Sequence, residues 1–258
     1  MKFYNGKMVK MLKKISTLFL ILILGCNTPD GPDCFQKAGN LTQKTIDITG
    51  FSKIIANRNI ELFIKEGIDS EIIIEAGENL INDVSARLQD DTLILTDSNT
   101  CNYVRDYDPV KVYVTTPILT EVRNSSQFTV QSQGVLTFPN LLLISEDFNS
   151  PTSYAVGDFD LELNTQNLRI VANTLSIFRL RGQVDVFKPE FYSGICRVEA
   201  RDLIAQDIIL FQRSSNDMLL HPVQSLRGEI VSTGDVIAVN NPPIVEVTES
   251  YTGRLIFE

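Results

Sequence analysis

Beyond residue 25, no stretch of this 258-residue chain carries a long apolar face at the 3.6-residue period of a helix, while short runs of period-two alternation recur to the C-terminus. Residues 60–65 (IELFIK), 71–76 (EIIIEA), 84–89 (VSARLQ), 92–97 (TLILTD) and 110–115 (VKVYVT) follow one another, with Glu66-Gly67, Gly77-Glu78-Asn79 and Asp90-Asp91 between them. Alternation bounded by Gly, Asn and Asp is the signature of strands and turns. The nearest approach to a helix, residues 80–88, is short and contains Asn82, Asp83 and Val84. The chain has no Trp, and three of its four methionines lie in the first eleven residues, so its core must come from Ile, Leu, Val and Phe. That palette favours strands.

From about residue 118 the strands shorten and a weak repeat emerges. Residues 131–138, 154–161 and 179–186 each place a glycine (Gly134, Gly157, Gly182) ahead of apolar residues at the second and fourth positions. The glycines are 23 and 25 residues apart, and residues 213–220 carry Asn216 in the same place. Repeats of this size are one coil of a solenoid, which cannot bury its apolar face until coils stack. The pattern predicts an all-β chain folded as a right-handed parallel β-helix or β-solenoid-like single domain. The inner rows would hold Leu141, Leu143, Phe159, Leu161, Leu163, Leu168, Ile170, Leu175, Ile177, Val184 and Val186. A β-sandwich with irregular loops would give similar alternation. Asn149, Asn164, Asn167 and Asn173 fit amide ladders between coils.

The first forty residues carry a different message. Five lysines (Lys2, Lys7, Lys10, Lys13, Lys14) precede an unbroken apolar run at 18–24, and the first acid is Asp30. This is the order of a secretory signal, too short for a transmembrane helix of about 20 residues. Ile23-Leu24-Gly25-Cys26 resembles the lipobox of bacterial lipoproteins, with Leu24 bulkier than usual. The resemblance implies cleavage before Cys26 and acylation of its thiol and new amino terminus. It divides the chain into a signal peptide (1–25), a lipidated N-terminus and tether (26–44), and a β-solenoid domain (45–258). Asn27, in place of Asp, implies the outer membrane, on its periplasmic or surface face.

Without the signal lysines the chain keeps 18 basic residues against 32 acidic ones. Such an acidic surface argues against nucleic acid, whose affinity comes from neutralised phosphates. Of the remaining cysteines, Cys34 follows the tether and Cys101 lies in a polar loop, so a Cys34–Cys101 disulfide would pin the tether to the domain. Cys196, in an alternating segment, reads as a buried free thiol.

Together these segments resemble a known family. Gly50-Phe51-Ser52-Lys53-Ile54 leads into Asn59-Ile60-Glu61-Leu62-Phe63-Ile64. Gly234-Asp235-Val236-Ile237 and Pro242-Pro243-Ile244 follow near the end. The order and spacing resemble the head GIN domain family of auto-transporter adhesins, common among lipoproteins of Bacteroidetes-type bacteria. The resemblance implies a β-helix-like domain in the cell envelope and supplies no catalytic residues. Asn240-Asn241 stands where relatives tend to have glycine.

Chemistry is sparse. The single histidine, His221, gives neither a His-rich metal site nor a Ser-His-Asp triad. Cys-x-x-Cys and the Gly-rich nucleotide loops are absent from the sequence, so no metal or cofactor is expected. The carboxylates Asp90-Asp91, Glu146-Asp147 and Asp158/Asp160 are the candidates for a polysaccharide-cleaving enzyme, because two placed carboxyls suffice for glycoside hydrolysis, or for a weak calcium site, although acids are also ordinary corner residues of a solenoid. Tyr103, Tyr107 and Tyr113 form a candidate sugar-stacking face. The reading is a lipid-anchored envelope binding or adhesion module without catalytic activity, bound to the membrane through its lipid, with a glycan or protein partner. The alternatives are a carbohydrate-active enzyme and a purely structural envelope component. Replacing Cys26 by Ser should move the protein from the membrane to the soluble fraction and abolish labelling by a radiolabelled fatty acid; continued labelling would refute the anchor.

Overall fold

The structure, a computed structural model, describes residues 38–99, 109–149 and 152–258. Its described residues form strands joined into one hydrogen-bonded network, and the only helical piece among them is a single 3₁₀ turn, Ile81–Asp83. The first strands are β1 (Leu41–Ile46), β2 (Lys53–Ala56), β3 (Ile60–Glu66), β4 (Glu71–Gly77), β5 (Val84–Gln89) and β6 (Thr92–Asp97). Next come β7 (Val110–Thr116), β8 (Glu121–Asn124), β9 (Val130–Leu136) and β10 (Asn140–Ser145). Where the sequence predicts shorter strands, four long ones follow, because each runs on through the bend from one arm to the other: β11 (Phe159–Ala172), β12 (Ile177–Phe191), β13 (Arg197–Gln212) and β14 (Met218–Ile230). Three short ones close the domain, β15 (Val236–Ala238), β16 (Ile244–Glu249) and β17 (Leu255–Phe257).

The register reveals a solenoid of two arms. In the first arm β7, β3, β9 and the leading halves of β11, β12, β13 and β14 stack in parallel, ending in β15 and β17. In the second arm β6, β2, β8, β10 and the trailing halves of the same long strands stack in parallel, ending in β16. Phe159 pairs with Phe178, Phe178 with Val198, and Val198 with Met218, so each coil spends roughly 20 residues. The order of coils is not the order of the chain. The β6–β7 coil stacks outside β2–β3, because β4 and β5 intervene as antiparallel strands. β4 lies between β1 and β7, and β5 pairs with β6, so this end of the stack is closed by antiparallel pairing.

Inner residues of both arms share one core. Phe159 and Phe178 stack at 5.0 Å between neighbouring coils, and Phe191 reaches Phe178 from the other arm at 5.8 Å. Leu161, Leu163, Leu168, Ile170 and Val184 are buried as the alternation requires. Leu175, Ile177 and Val186 are not: Leu175 is exposed, and Ile177 and Val186 are half-buried. The alternation changes phase wherever the chain turns. At the bend Val184 is followed inward by Phe187, and at the corner Ser176 and Phe178 take the inner positions that flank Ile177.

The corners have their own chemistry. Asn124 donates from Nδ2 to the Phe128 carbonyl oxygen (2.9 Å) and accepts from the Ser126 amide (3.0 Å). Gln212 repeats the arrangement with Asn216 and Ser214 (2.7 and 3.2 Å). A buried amide side chain thus closes a turn whose backbone groups would otherwise lack partners. Ser145 and Ser176 hydroxyls meet at 2.6 Å between coils, and Asn167 donates to Asn140 at 2.9 Å.

The glycines read as one repeat do separate jobs. Gly134 lies within β9, and Gly157 lies against the Asn124 side chain. Gly182, at φ +110°, faces the Leu163 carbonyl oxygen, which a Cβ would approach to 2.0 Å. Gly228, at φ +132°, stands in the same relation to Leu210. Truncating Phe178 to Ala should cost about 3–5 kcal/mol, as other buried Phe→Ala changes do. Chemical denaturation measures it, and a loss under about 1 kcal/mol would mean that the ring stack is not part of the core.

Candidate functional site: an aromatic groove on the second arm

Outward side chains of the second arm line up across coils. Ile144, Val171, Glu190 and Phe211 occupy one row, and Leu142 and Arg169 are paired in the next. Ile144 and Val171 point outward by register yet are only 7% and 9% exposed. Both line a cavity of about 560 Å³ with Phe148 and Tyr192. Residues 146–149 leave the end of β10 to form its rim.

Two devices hold that rim in place. Arg123 sets its Nη2 2.7 Å from Glu146 Oε1 and its Nη1 2.9 Å from the Glu146 carbonyl oxygen. The Asn149 amide donates to the other carboxylate oxygen at 2.9 Å. The Glu146 side chain is 1% exposed and that of Arg123 13%, so each is the other's charge partner in a largely dry place. One coil on, Asn173 receives the Asp147 amide at 3.2 Å and donates to Asp147 Oδ1 at 2.7 Å.

The rings at the rim remain accessible. Phe148 is 50% exposed and Tyr192 36%. They meet edge to face with centroids 5.7 Å apart, and Tyr192 leans on Phe211 at 5.3 Å. Arg169 reaches Glu190 from Nε and Nη2 at 2.9 and 2.6 Å, and this contact holds its guanidinium pKa above the ordinary value. Beyond Leu142 and Arg169 lies a second cavity of about 300 Å³, which both residues also line, together with Asn140, Asn167 and Lys188. The two cavities adjoin across Leu142 and Arg169 and lie side by side along the second arm as one candidate groove.

The residues singled out from sequence have scattered fates. Cys26, Cys34, Cys101, Tyr103 and Tyr107 lie outside the described residues. Tyr113, in β7, stacks on Phe63 at 4.9 Å and brings its hydroxyl 3.4 Å from Glu75. Cys196 is a buried free thiol, and burial pushes its pKa up to about 12. His221 sets Nδ1 2.9 Å from the Arg201 carbonyl oxygen, a bond that places the ring proton on Nδ1.

Of the other candidate carboxylates, Asp90 sits in the turn before β6 at φ +55°, while Asp91, Asp158 and Asp160 are engaged with the stack. Asp91 pairs with Lys53 at 3.1 Å, which holds its carboxyl below the usual range. Asp158 accepts the Ile177 amide at 2.8 Å and pairs with Arg179 at 3.4 Å. Asp160 lies 2.5 Å from Arg181. Each binds a side chain of another coil. Among the described residues no group of His, Cys, Asp and Glu could hold a metal ion.

The sequence pointed to the 146–147 acids but not to the aromatic residue beside them. Phe148, Tyr192 and Phe211 are far apart in the chain. The one available signal was that a coil of roughly 20 residues sets Tyr192 and Phe211 on neighbouring strands.

A model of the family described as "Putative auto-transporter adhesin, head GIN domain" matches residues 50–242. The chain belongs to this family. Among solved structures it is similar to one named a putative adhesin from Bacteroides fragilis, with TM-score 0.75 and 18% identity over 85% of this chain and 97% of that one. A structure named a putative adhesin from Parabacteroides merdae aligns with TM-score 0.58 and 16% identity, covering 84% of this chain and 98% of its own. One named a putative lipid binding protein from Parabacteroides distasonis gives TM-score 0.58 and 14% identity, covering 84% and 97%. At such identities the likeness shows the fold. No curated protein matches the chain.

Removing one partner of the dry ion pair at the rim should be expensive. Glu146→Ala leaves the Arg123 charge without its partner and should cost about 3–5 kcal/mol in chemical denaturation. A change within about 0.5 kcal/mol would show that the pair does not hold the rim.

Proposed function

We propose that this head GIN domain protein is a lipid-anchored adhesion module of the cell envelope that holds its ligand in the groove of the second arm and performs no chemistry on it. The observation that carries this reading is the exposed Phe148–Tyr192 pair over a preformed cavity. Rings left half-exposed on a rigid scaffold are the recognised anchors of binding sites, and the coil stack supplies the rigidity. The adhesin description of the family supports the same role. Asp91, Asp158 and Asp160 already hold cations or amides of other coils, which favours binding over carboxylate catalysis. The lipid at Cys26 would hold the domain to the outer membrane, and a Cys34–Cys101 bridge would fix the end of the tether.

The test is retention of membrane vesicles carrying the full chain on immobilised surface polysaccharides and proteins. Phe148→Ala combined with Tyr192→Ala should abolish retention while the chain still unfolds in one cooperative transition, because both rings lie at the rim and outside the core between the arms. Retention equal to that of the unaltered protein would overturn the groove as the ligand face. Release of shortened sugar products during the same incubation would favour the enzyme reading instead.

A further inference from the structure

The groove carries more information than an aromatic rim. Three cations line it, Arg123, Arg169 and Lys188, against Glu146 in the lining and Glu190 beside Arg169. Arg123 is neutralised by Glu146 and Arg169 by Glu190. Lys188 has no acid within ion-pair distance among the described residues. It is therefore a cation left for a ligand, on a chain whose formal net charge is −9. An unpaired cation in a groove attracts a negatively charged ligand group at that point, against the repulsion of the acidic chain as a whole.

The other lining groups fix the rest of the ligand's character. Beside Lys188 stand Asn140 and Asn167, exposed neutral amides bonded to each other at 2.9 Å whose remaining N–H and carbonyl groups can donate and accept hydrogen bonds. The opposite end offers the Phe148 and Tyr192 rings. Lys188, Glu190 and Tyr192 alternate along one side of the chain at the end of β12, so Lys188 and Tyr192 stand roughly 13 Å apart at about 3.3 Å per residue. A ligand that matches all three parts has an apolar face, many hydroxyls and a negative charge, and is longer than one sugar ring.

We infer that the groove binds an acidic oligosaccharide, with a sugar face on Tyr192 and Phe148, hydroxyls at Asn140 and Asn167, and a sugar carboxylate on Lys188. This rests on the groove being the ligand face proposed above and adds the chemical class of the ligand. A lipid chain would want a deep apolar channel, which the amide-flanked groove does not provide. An acidic peptide could use Lys188 but makes less use of paired amides and rings.

The experiment is titration calorimetry of the full chain, in detergent, against a panel of uronate- and sialate-bearing oligosaccharides. Each is compared with its own methyl ester, which keeps the sugar and removes the charge. At least one acidic member should bind at least tenfold tighter than its ester. Lys188→Gln should erase that difference, and raising the salt from 50 to 500 mM should shrink it. Tyr192→Ala should weaken acid and ester alike.

Equal binding of acid and ester would overturn the charge assignment while leaving the aromatic groove as a sugar site. Silence across the panel, with vesicle retention still dependent on Phe148 and Tyr192, would overturn the saccharide and leave the adhesion reading standing. Groove-dependent binding of acidic peptides or of phosphatidylglycerol vesicles in place of sugars would overturn it in favour of those ligands. Loss of retention dependence as well would remove both proposals.

Discussion

Every other feature of the molecule depends on parallel pairing between successive coils. One coil of roughly 20 residues has too little apolar surface to fold alone, and its backbone groups find partners only in the coils above and below. Stacking solves both problems together. The inner side chains become one continuous core, and each strand inside the stack is satisfied on two sides. This is why the inner positions hold Phe159, Phe178, Phe187 and Phe191, all fully buried, while the outer positions of the same strands carry Arg and Glu. The outer charges pair across coils, as in Asp160–Arg181 and Arg227–Glu246. Such half-exposed pairs are worth about 0–1 kcal/mol each and serve register more than stability.

A stack of parallel strands needs ends, and the two ends differ. β1, β4 and β5 close one end by antiparallel pairing. At the other, β16 and β17 each pair with a single described strand and expose Ile244, Val245, Ile256 and Phe257. The groove lies between these ends, over β10 to β13, where the strands have neighbours on both sides. A binding surface is best placed there, because its floor is the least able to yield.

Local pattern was legible in the sequence wherever a strand is bounded by its own turns. The strands read at 84–89 and 92–97 coincide with β5 and β6, and those read at 60–65, 71–76 and 110–115 end one residue short of β3, β4 and β7. The stacked solenoid also followed from short apolar rows that need neighbours. What escaped was anything set by the turns of the solenoid. A change of phase at a corner put Leu175 and Ile177 on the wrong side. The β4–β5 excursion reversed the order of two coils without leaving a mark on alternation. The glycines Gly134, Gly157 and Gly182 looked equivalent because their local surroundings match, yet Gly182 answers to the Leu163 carbonyl oxygen one coil away. The groove was hidden for the same reason: Phe148, Tyr192 and Phe211 become neighbours only after the coils are counted. Glu146 was visible as an acid, but its burial against Arg123 was not.

The dependence of the whole on inter-coil pairing is tested most directly by native-state amide hydrogen exchange on the full chain. If coils stabilise one another, amides of β11, β12 and β13 should exchange slowest and share one opening free energy equal to that of global unfolding, while β16 and β17 exchange faster. Central strands that open one by one, each no better protected than the last coil, would contradict that dependence and with it the rigid floor on which the groove is built.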